Sequence, residues 1–200
     1  PDCDRMGIAV RDDNGKFVLL TGNQIGVLMM DYVLSVKKAE GILPKNAAVV
    51  KTIVTTDLAR KVAAGYGAKT FDVLTGFKFI GEKIKEWETS GEYTYEFGFE
   101  ESYGSLVGTH ARDKDAVVAS MIFAEMACKY ESEGTSVYDR LQEIFKKYGY
   151  YVEKGVSITF GGLDGFEKMT AIMQKIRSEI KTEFAGEKVE SFSDYVLGVT

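Results

Sequence analysis

Residues 48–75, AVVKTIVTTDLARKVAAGYGAKTFDVLT, contain the pattern of a strand, a helix and a second strand. The outer segments, 48–56 and 68–75, are rich in β-branched residues, which favour strands. The segment between them begins at Asp57 and ends near Gly65 and Gly67, as a short helix does. A strand–helix–strand unit of this length predicts two parallel strands that are joined by a covering helix.

The same alternation continues toward the C-terminus. A helix is predicted over residues 76–88 and a strand over 93–100, followed by a loop over 102–114. The next segment, AVVASMIFAEMACKY, is a helix so apolar that we expect it to be buried between the sheet and neighbouring layers. An amphipathic helix over 136–148 closes the unit. The pattern predicts an α/β fold with a mixed, largely parallel sheet covered by helices.

Less complete units flank this one. Two apolar runs around Asn14-Gly15 predict a β-hairpin, and a helix follows it up to Gly41. Beyond Gly149, a strand is predicted over 150–160, a turn over 161–165, a helix over 166–180 and a last strand over 185–199. With a boundary at Pro44, the predicted domains are residues 1–44, 45–149 and 150–200.

Composition excludes several classes of protein. A hydrophobic content of 45% with 28% charged residues is that of a folded, soluble protein. The net charge of −5 and the lack of a basic run argue against nucleic-acid binding. No apolar run has the length of a membrane span. Cys3 and Cys128 lie in unrelated contexts and form no disulfide framework, so we expect a cytoplasmic location.

Ligands of parallel sheets collect at the carboxyl ends of the strands, and three predicted loops leave such ends. The first, Thr55-Thr56-Asp57, is interpreted as the cap of the next helix. In the second, residues 75–78, Gly76 permits close approach of a ligand and Lys78 supplies a cation at a helix start.

The third loop, FGFEESYGSLVGTHARDKDA (residues 97–116), is the most unusual stretch. Its acceptors and cations are Glu100, Glu101, Ser102, His110, Arg112 and Lys114. Carboxylates and a hydroxyl beside cations suit a ligand that carries both hydroxyl and phosphate groups. The alternative is a solvated loop in which Asp113 or Asp115 caps the apolar helix. A lone histidine such as His110 is more often structural than an acid–base catalyst.

A second acidic group lies at the mouth of the predicted hairpin. Asp2 and Asp4 are two positions apart and precede Arg5. Loop carboxylates at this spacing can converge on a hard cation, so the sequence indicates a Mg²⁺ site.

Together, these motifs resemble the α-D-phosphohexomutase superfamily, the phosphoglucomutases and phosphomannomutases. PDCDR is similar to the metal loop Asp-x-Asp-x-Asp-Arg without its first Asp. Residues 99–104 are similar to the sugar loop Gly-Glu-x-Ser-Gly, with Phe99 and Tyr103 as departures. TGFK at 75–78 resembles the Thr-x-Gly loop, and RDKD at 112–115 its basic continuation. The resemblance implies the end of domain 2, all of domain 3 and the start of domain 4.

The resemblance implies a phosphoglucomutase, which is an intramolecular phosphotransferase of the isomerase class. Glucose 1-phosphate and glucose 6-phosphate would be interconverted through a phosphoserine enzyme and a bisphosphate intermediate. Asp2 and Asp4 would bind Mg²⁺, and Arg5 would contact a phosphate group. The phosphoserine would lie outside this chain, so we expect the chain itself to contain no catalytic nucleophile. It would then be an inactive piece of a longer mutase.

For the remaining candidates, the resemblance implies contacts with the sugar phosphate. Glu100 and Ser102 would bind sugar hydroxyls, and Lys78 would contact the substrate. The other residues expected to line the cleft are Thr75, Gly76, His110, Arg112 and Lys114.

Two alternatives stay open. A phosphomannomutase or phosphopentomutase of the same superfamily has the same loops, and a non-catalytic α/β module could use the acidic loops to bind a cation or a partner. The flanking pieces, which lack partners for their apolar faces, are expected to fray, to dock on the middle domain or to associate with a second copy.

Overall fold

The computed structural model of the chain describes residues 2–162, 164–179 and 182–196. The chain divides into two compact units, Pro1–Glu153 and Lys154–Thr200, which are described separately. Within the described residues, no helix combines the length and the apolar character needed to cross a membrane.

The first unit alternates strands and helices, as predicted. In chain order its elements are β1 (Ala9–Arg11), β2 (Phe17–Leu19), α1 (Gly22–Ala39), β3 (Ala47–Thr52), α2 (Leu58–Tyr66), β4 (Lys69–Val73), α3 (Phe77–Ser90), β5 (Thr94–Phe99), β6 (Ser105–Val107), α4 (Ala116–Ser132) and α5 (Val137–Tyr148). The main sheet has the order β4-β3-β5-β6. β3 is parallel to β4 and β5, whereas β6 is antiparallel to β5. The predicted mixed, largely parallel sheet is confirmed.

The predicted hairpin is also confirmed. β1 pairs with β2 in antiparallel register, with Ala9 opposite Leu19. In the turn, Asp12 Oδ1 accepts hydrogen bonds from the nitrogens of Asn14 at 3.0 Å and Lys16 at 2.8 Å. Gly15 has a φ of +74°, which is the left-handed conformation that such a turn requires.

Each face of the main sheet has its own core. In β3, Val49 packs in a cluster formed with α1, α2, α4 and α5, whereas Val50 packs on the opposite face against α3. Successive side chains of a strand point to opposite faces, so a strand covered on both faces is apolar throughout. This burial explains why residues 47–50 show no alternation of polar and apolar residues.

Helix α1 belongs to the core of the first unit. Leu28 and Leu34 of α1 are fully buried in the same cluster as Val49 and Phe97 of the sheet. The limits of the compact units therefore differ from the predicted boundaries at Pro44 and Gly149. The division into residues 1–44, 45–149 and 150–200 as domains stays a prediction.

The expectation that α4 is covered on all sides is wrong. Its buried residues are Ala119, Phe123, Met126 and Tyr130. On the other side of the helix, Val117 and Met121 are 68% and 60% exposed. The helix lies in an outer layer, so its apolar content exceeds what its single packed face requires.

The second unit contains α6 (Gly165–Ser178) and a short antiparallel hairpin of β7 (Glu183–Phe184) and β8 (Glu187–Lys188). The predicted helix over 166–180 is confirmed up to Ser178, and its last residue, Ile180, lies outside the described residues. Leu163 of the predicted turn also lies outside them. The predicted strand over 150–160 is wrong, because this segment has no regular secondary structure. Within the expected last strand over 185–199, the structure has β8 at Glu187–Lys188 and no regular secondary structure over 189–193, and residues 197–199 lie outside the described ranges. Hydrophobic alternation alone does not make a strand, which also needs a hydrogen-bonded neighbour.

These packing differences predict where a protease cuts first. Lys154 is exposed in a segment without regular structure, whereas Lys37 lies in α1 and pairs with the buried Glu96. Cleavage requires local unfolding, so we expect trypsin to cut the 200-residue chain after Lys154 well before it cuts after Lys37. Limited digestion followed by intact-mass analysis measures the order. Earlier cleavage after Lys37 would contradict the packing of α1.

Candidate functional site

The parallel strands β3, β4 and β5 end at one edge of the sheet, and the loops that leave them are joined by hydrogen bonds. We call residues 53–57, 74–76 and 100–104 the three edge loops. The nitrogen of Gly76 donates to Glu100 Oε1 at 3.0 Å, and the nitrogen of Glu101 donates to Thr55 Oγ1 at 3.3 Å. Hydrogen bonds thus connect the first loop to the third and the second loop to the third.

Glu100 follows β5 and is buried at this end of the sheet. It is 5% exposed, and its carboxylate receives the N–H of Gly76 at the start of α3. Gly76 has a φ of 121°, which favours glycine, and this N-cap residue has no side chain to cap the helix. A carboxylate at a helix N-terminus is stabilised by the backbone dipoles there. In the part of the chain that the structure describes, Oε1 is the carboxylate oxygen that is hydrogen-bonded, which leaves Oε2 able to accept from a ligand.

Glu101 points toward a different loop. Its Oε2 accepts hydrogen bonds from Thr55 Oγ1 at 3.0 Å and from Thr52 Oγ1 at 3.3 Å. Hydrogen bonds from protein donors therefore direct the carboxylates of Glu100 and Glu101 to different loops. The presence of two adjacent acids does not by itself indicate a ligand between them. In the first edge loop, Thr56 Oγ1 accepts from the nitrogen of Leu58 at 3.2 Å, whereas the side chain of Asp57 makes no capping bond. A threonine thus supplies the side-chain cap at the start of α2.

The departure from the sugar-loop pattern at the end of the third edge loop keeps a backbone conformation that favours glycine. Tyr103 stands where that pattern has Gly, and its φ of +73° lies in the left-handed region that favours glycine. Its carbonyl oxygen accepts from the nitrogen of Met6 at 3.2 Å, and Gly104 forms a bridge with Arg5. These contacts bring the acidic N-terminal segment next to Ser102.

Lys114 connects that N-terminal segment to the edge loops. Its Nζ lies 3.0 Å from Asp4 Oδ2 and 2.9 Å from Asp113 Oδ1. Its aliphatic stem passes over Gly104, where a Cβ atom would overlap it. The hydrogen bond from Lys114 lowers the pKa of Asp4. Burial of the Lys114 ammonium opposes its charge, but the bonds to Asp113 and Asp4 outweigh burial and raise the pKa of Lys114.

Asp2 and Arg5 are exposed on the same segment. The segment is fixed against the start of α4, because the carbonyl oxygen of Cys3 accepts from the nitrogen of Ala116 at 3.0 Å. Within the described ranges, no group of at least three potential ligands is arranged to hold a metal ion. Asp2 and Asp4 supply two carboxylates, and Mg²⁺ is commonly held by one or two carboxylates plus water, so these residues fit part of a Mg²⁺ site.

His110 and Arg112 face other groups. His110 Nε2 lies 3.0 Å from Asp115 Oδ2, and this bond lowers the pKa of Asp115. Asp115 Oδ1 accepts from the nitrogens of Val117 at 2.9 Å and Val118 at 3.0 Å, which confirms the predicted cap of the apolar helix. The guanidinium of Arg112 pairs with Glu88 near the end of α3.

Thr75 and Lys78 are exposed at the start of α3. Lys78 Nζ lies 4.7 Å from the ring centre of Phe79, which leaves the ammonium accessible to a ligand. The structure therefore gathers Asp4, Lys114 and the edge loops, with Thr75 and Lys78 at their rim, whereas it directs Arg112 away toward Glu88. Sequence reasoning missed the hydroxyls of Thr52 and Thr55; the signal was the unusual Thr content of KTIVTT.

Comparisons with known proteins identify the family of this chain. A family profile described as phosphoglucomutase/phosphomannomutase, alpha/beta/alpha domain III, matches residues 21–148. A phosphoglucomutase of Staphylococcus epidermidis is 37% identical over 198 residues, which are 99% of this chain and 35% of the relative. The chain thus spans about a third of the length of the curated relatives it matches.

Solved structures show the same fold. Parafusin (phosphoglucomutase) from Paramecium, in its open form, is similar with a TM-score of 0.59 and 23% identity over 99% of this chain and 32% of that chain. N-acetylphosphoglucosamine mutase of Aspergillus fumigatus, solved with GlcNAc-6P and magnesium, has a TM-score of 0.50 and 15% identity over 88% of this chain and 39% of that chain.

Proposed function

This chain belongs to the phosphoglucomutase/phosphomannomutase family, and on that premise we propose that the intact protein interconverts glucose 1-phosphate and glucose 6-phosphate. The relative from Staphylococcus epidermidis, which is a phosphoglucomutase, supports this choice of sugar. The reaction is an intramolecular phosphoryl transfer of the isomerase class.

One observation carries the proposal. The segment with Asp2 and Asp4, the ammonium of Lys114 and the buried carboxylate of Glu100 meet at the edge loops, although their positions in the sequence are far apart. A sugar phosphate needs acceptors for its hydroxyl groups and cations for its phosphate. Both kinds of group are present at this edge.

The residues at the edge bind and orient the substrate. The free oxygen of Glu100 and the hydroxyl of Ser102 bind sugar hydroxyls, while Lys114 and Lys78 donate to the hydroxyl or phosphate oxygens. A sugar hydroxyl oxygen attacks the phosphorus of a phosphoserine that another part of the protein supplies. The bond from phosphorus to the serine oxygen breaks, and the serine oxygen takes up the proton that the sugar hydroxyl loses. The bisphosphate then reorients and returns its other phosphoryl group to the serine. Such a transfer depends chiefly on positioning and on stabilising the charge of the phosphoryl group.

Asp2 and Asp4 would hold Mg²⁺, which neutralises charge on the phosphoryl group when it is bound. Asp4 already pairs with Lys114, so this carboxylate links the proposed metal site to a proposed substrate contact. Arg5, exposed beside them, contacts a phosphate group.

A coupled assay of the intact protein with glucose 1-phosphate tests the function. We expect formation of glucose 6-phosphate that needs Mg²⁺, stops on addition of a chelator and returns when excess Mg²⁺ is supplied. The 200-residue chain without a phosphoserine serves as the control and should show no turnover. Faster turnover of mannose 1-phosphate or ribose 1-phosphate would replace the proposed substrate. Absence of turnover with all three sugars would favour a binding module.

A further inference from the structure

The central strand β3 carries a lysine whose side chain is buried. The side chain of Lys51 is 1% exposed, and a buried ammonium is unfavourable unless acceptors surround it. Its Nζ lies 2.9 Å from the carbonyl oxygen of Thr55 and 3.3 Å from that of Thr52. Oδ1 of Asp57 and Oδ1 of Asp72 each lie 3.2 Å from the same nitrogen.

These acceptors connect the three edge loops. Thr55 lies in the first edge loop, and its hydroxyl binds both the nitrogen and the carboxylate of Glu101 in the third. Asp72 lies in β4, four positions before Gly76 of the second edge loop. One ammonium group therefore contacts the first edge loop directly, the third through the hydroxyl of Thr55, and the strand that leads into the second through Asp72.

Arg60 supplies one positive charge beside the two acids, and Lys51 supplies the second. Arg60 pairs with Asp72 and also lies 3.4 Å from Asp57 Oδ1, at a more exposed position. Lys51 differs from Arg60 in that its ammonium also binds the backbone carbonyls of Thr52 and Thr55 and so ties them to these acids. Buried ion pairs are often no more stabilising than apolar packing, so a contribution to stability alone does not explain a lysine here.

We propose that Lys51 is a positioning residue that fixes the spacing of the three edge loops and so holds Glu100 and Gly76 in the arrangement that binds the sugar. The kinetic part of this inference rests on the proposed function. The structural part, the spacing of the loops, does not depend on it.

The test replaces the ammonium with an apolar group of similar length, Lys51→Met. In the 200-residue chain, we expect amide hydrogen exchange at Gly76 and Glu101 to become about tenfold faster, because Thr55, which accepts from Glu101, and the strand that leads to Gly76 lose a common anchor. In the intact protein, we expect kcat/KM for glucose 1-phosphate to fall about tenfold. The loss should appear mainly in KM, because the loops bind the sugar and not the transferred phosphoryl group.

Lys37→Met is the matched control, because Lys37 pairs with the buried Glu96 away from the edge loops. It should lower stability while leaving exchange at Gly76 and Glu101, and KM, unchanged. If Lys51→Met does not fold, Asp72→Asn replaces it; this substitution weakens the tie to β4 at a side chain that is 28% exposed, and faster exchange is expected at Gly76.

Unchanged exchange at Gly76 and Glu101 in a folded Lys51→Met chain, or at Gly76 in Asp72→Asn, would overturn the inference. An equal change in Lys37→Met would overturn it as well, since general destabilisation would then explain the result. If exchange is faster in Lys51→Met but the intact parent protein shows no sugar-phosphate turnover, the positioning role is supported and the proposed function is refuted.

Discussion

Glu100→Gln in the intact protein is expected to lower kcat/KM for glucose 1-phosphate about ten- to a hundredfold. A hydrogen bond to a charged acceptor is worth about 1.5–3 kcal/mol, and glutamine removes that charge. The fold should survive, because the amide oxygen of glutamine can still accept the N–H of Gly76 that now lies 3.0 Å from Glu100 Oε1. Steady-state kinetics measure the effect, and circular dichroism checks the fold.

Glu101→Gln is the natural control for this experiment. It carries the same change one position along the chain, but its carboxylate binds the hydroxyls of Thr52 and Thr55. A glutamine oxygen can accept from those hydroxyls, so the loss should be clearly smaller. Equal losses in the two variants would contradict the assignment of Glu100 as the sugar-binding carboxylate.

Gly22→Ala is expected to lower the free energy of unfolding by about 1–3 kcal/mol, the usual range for overpacking. Gly22 begins α1, and in a helix alanine is ordinarily better than glycine by about 1 kcal/mol. Here a Cβ atom would overlap the carbonyl oxygen of Glu101 and lie 2.7 Å from the nitrogen of Tyr103. Both are backbone atoms, so the clash reverses the usual sign and displaces the third edge loop.

Urea unfolding of the 200-residue chain, followed by far-ultraviolet circular dichroism, measures this effect. Gly7→Ala is the matched control, because a Cβ atom there meets nothing within 4 Å. It should change stability by less than about 0.5 kcal/mol. A stabilised Gly22→Ala chain would show that α1 does not pack against the edge loop as described.

Local patterns were sufficient for much of the fold. The alternation of strands and helices in residues 48–99 was readable because each element has its own period and its own stop signal. The packing of α1 against the main sheet could not be predicted, since an apolar helical face does not reveal which sheet will cover it. The prediction of a strand over 150–160 was wrong for a related reason: the segment alternates polar and apolar residues but has no neighbouring strand to pair with.

The candidate site shows the same limit. Sequence position led to Glu100, Gly76 and Lys114, which the edge of a parallel sheet does bring close to one another. It could not show that Arg112, two positions before Lys114, would extend its guanidinium to Glu88. The direction of a long side chain depends on tertiary contacts. For the same reason, the sequence does not distinguish the buried Lys51 of β3 from a surface lysine.

The contact between the carbonyl of Cys3 and the nitrogen of Ala116 sets an order of events during synthesis. The ribosome adds about 5–20 residues each second, so the acidic N-terminal segment waits roughly 5–20 s before its docking partner exists. Loop closure over so long a separation also comes late in folding, after nearer contacts have formed. The nascent carboxylates are therefore hydrated and free of their final neighbours until β5, β6 and the start of α4 have emerged. A translational pause just after this region would give the acidic N-terminal segment time to dock before later residues compete for it.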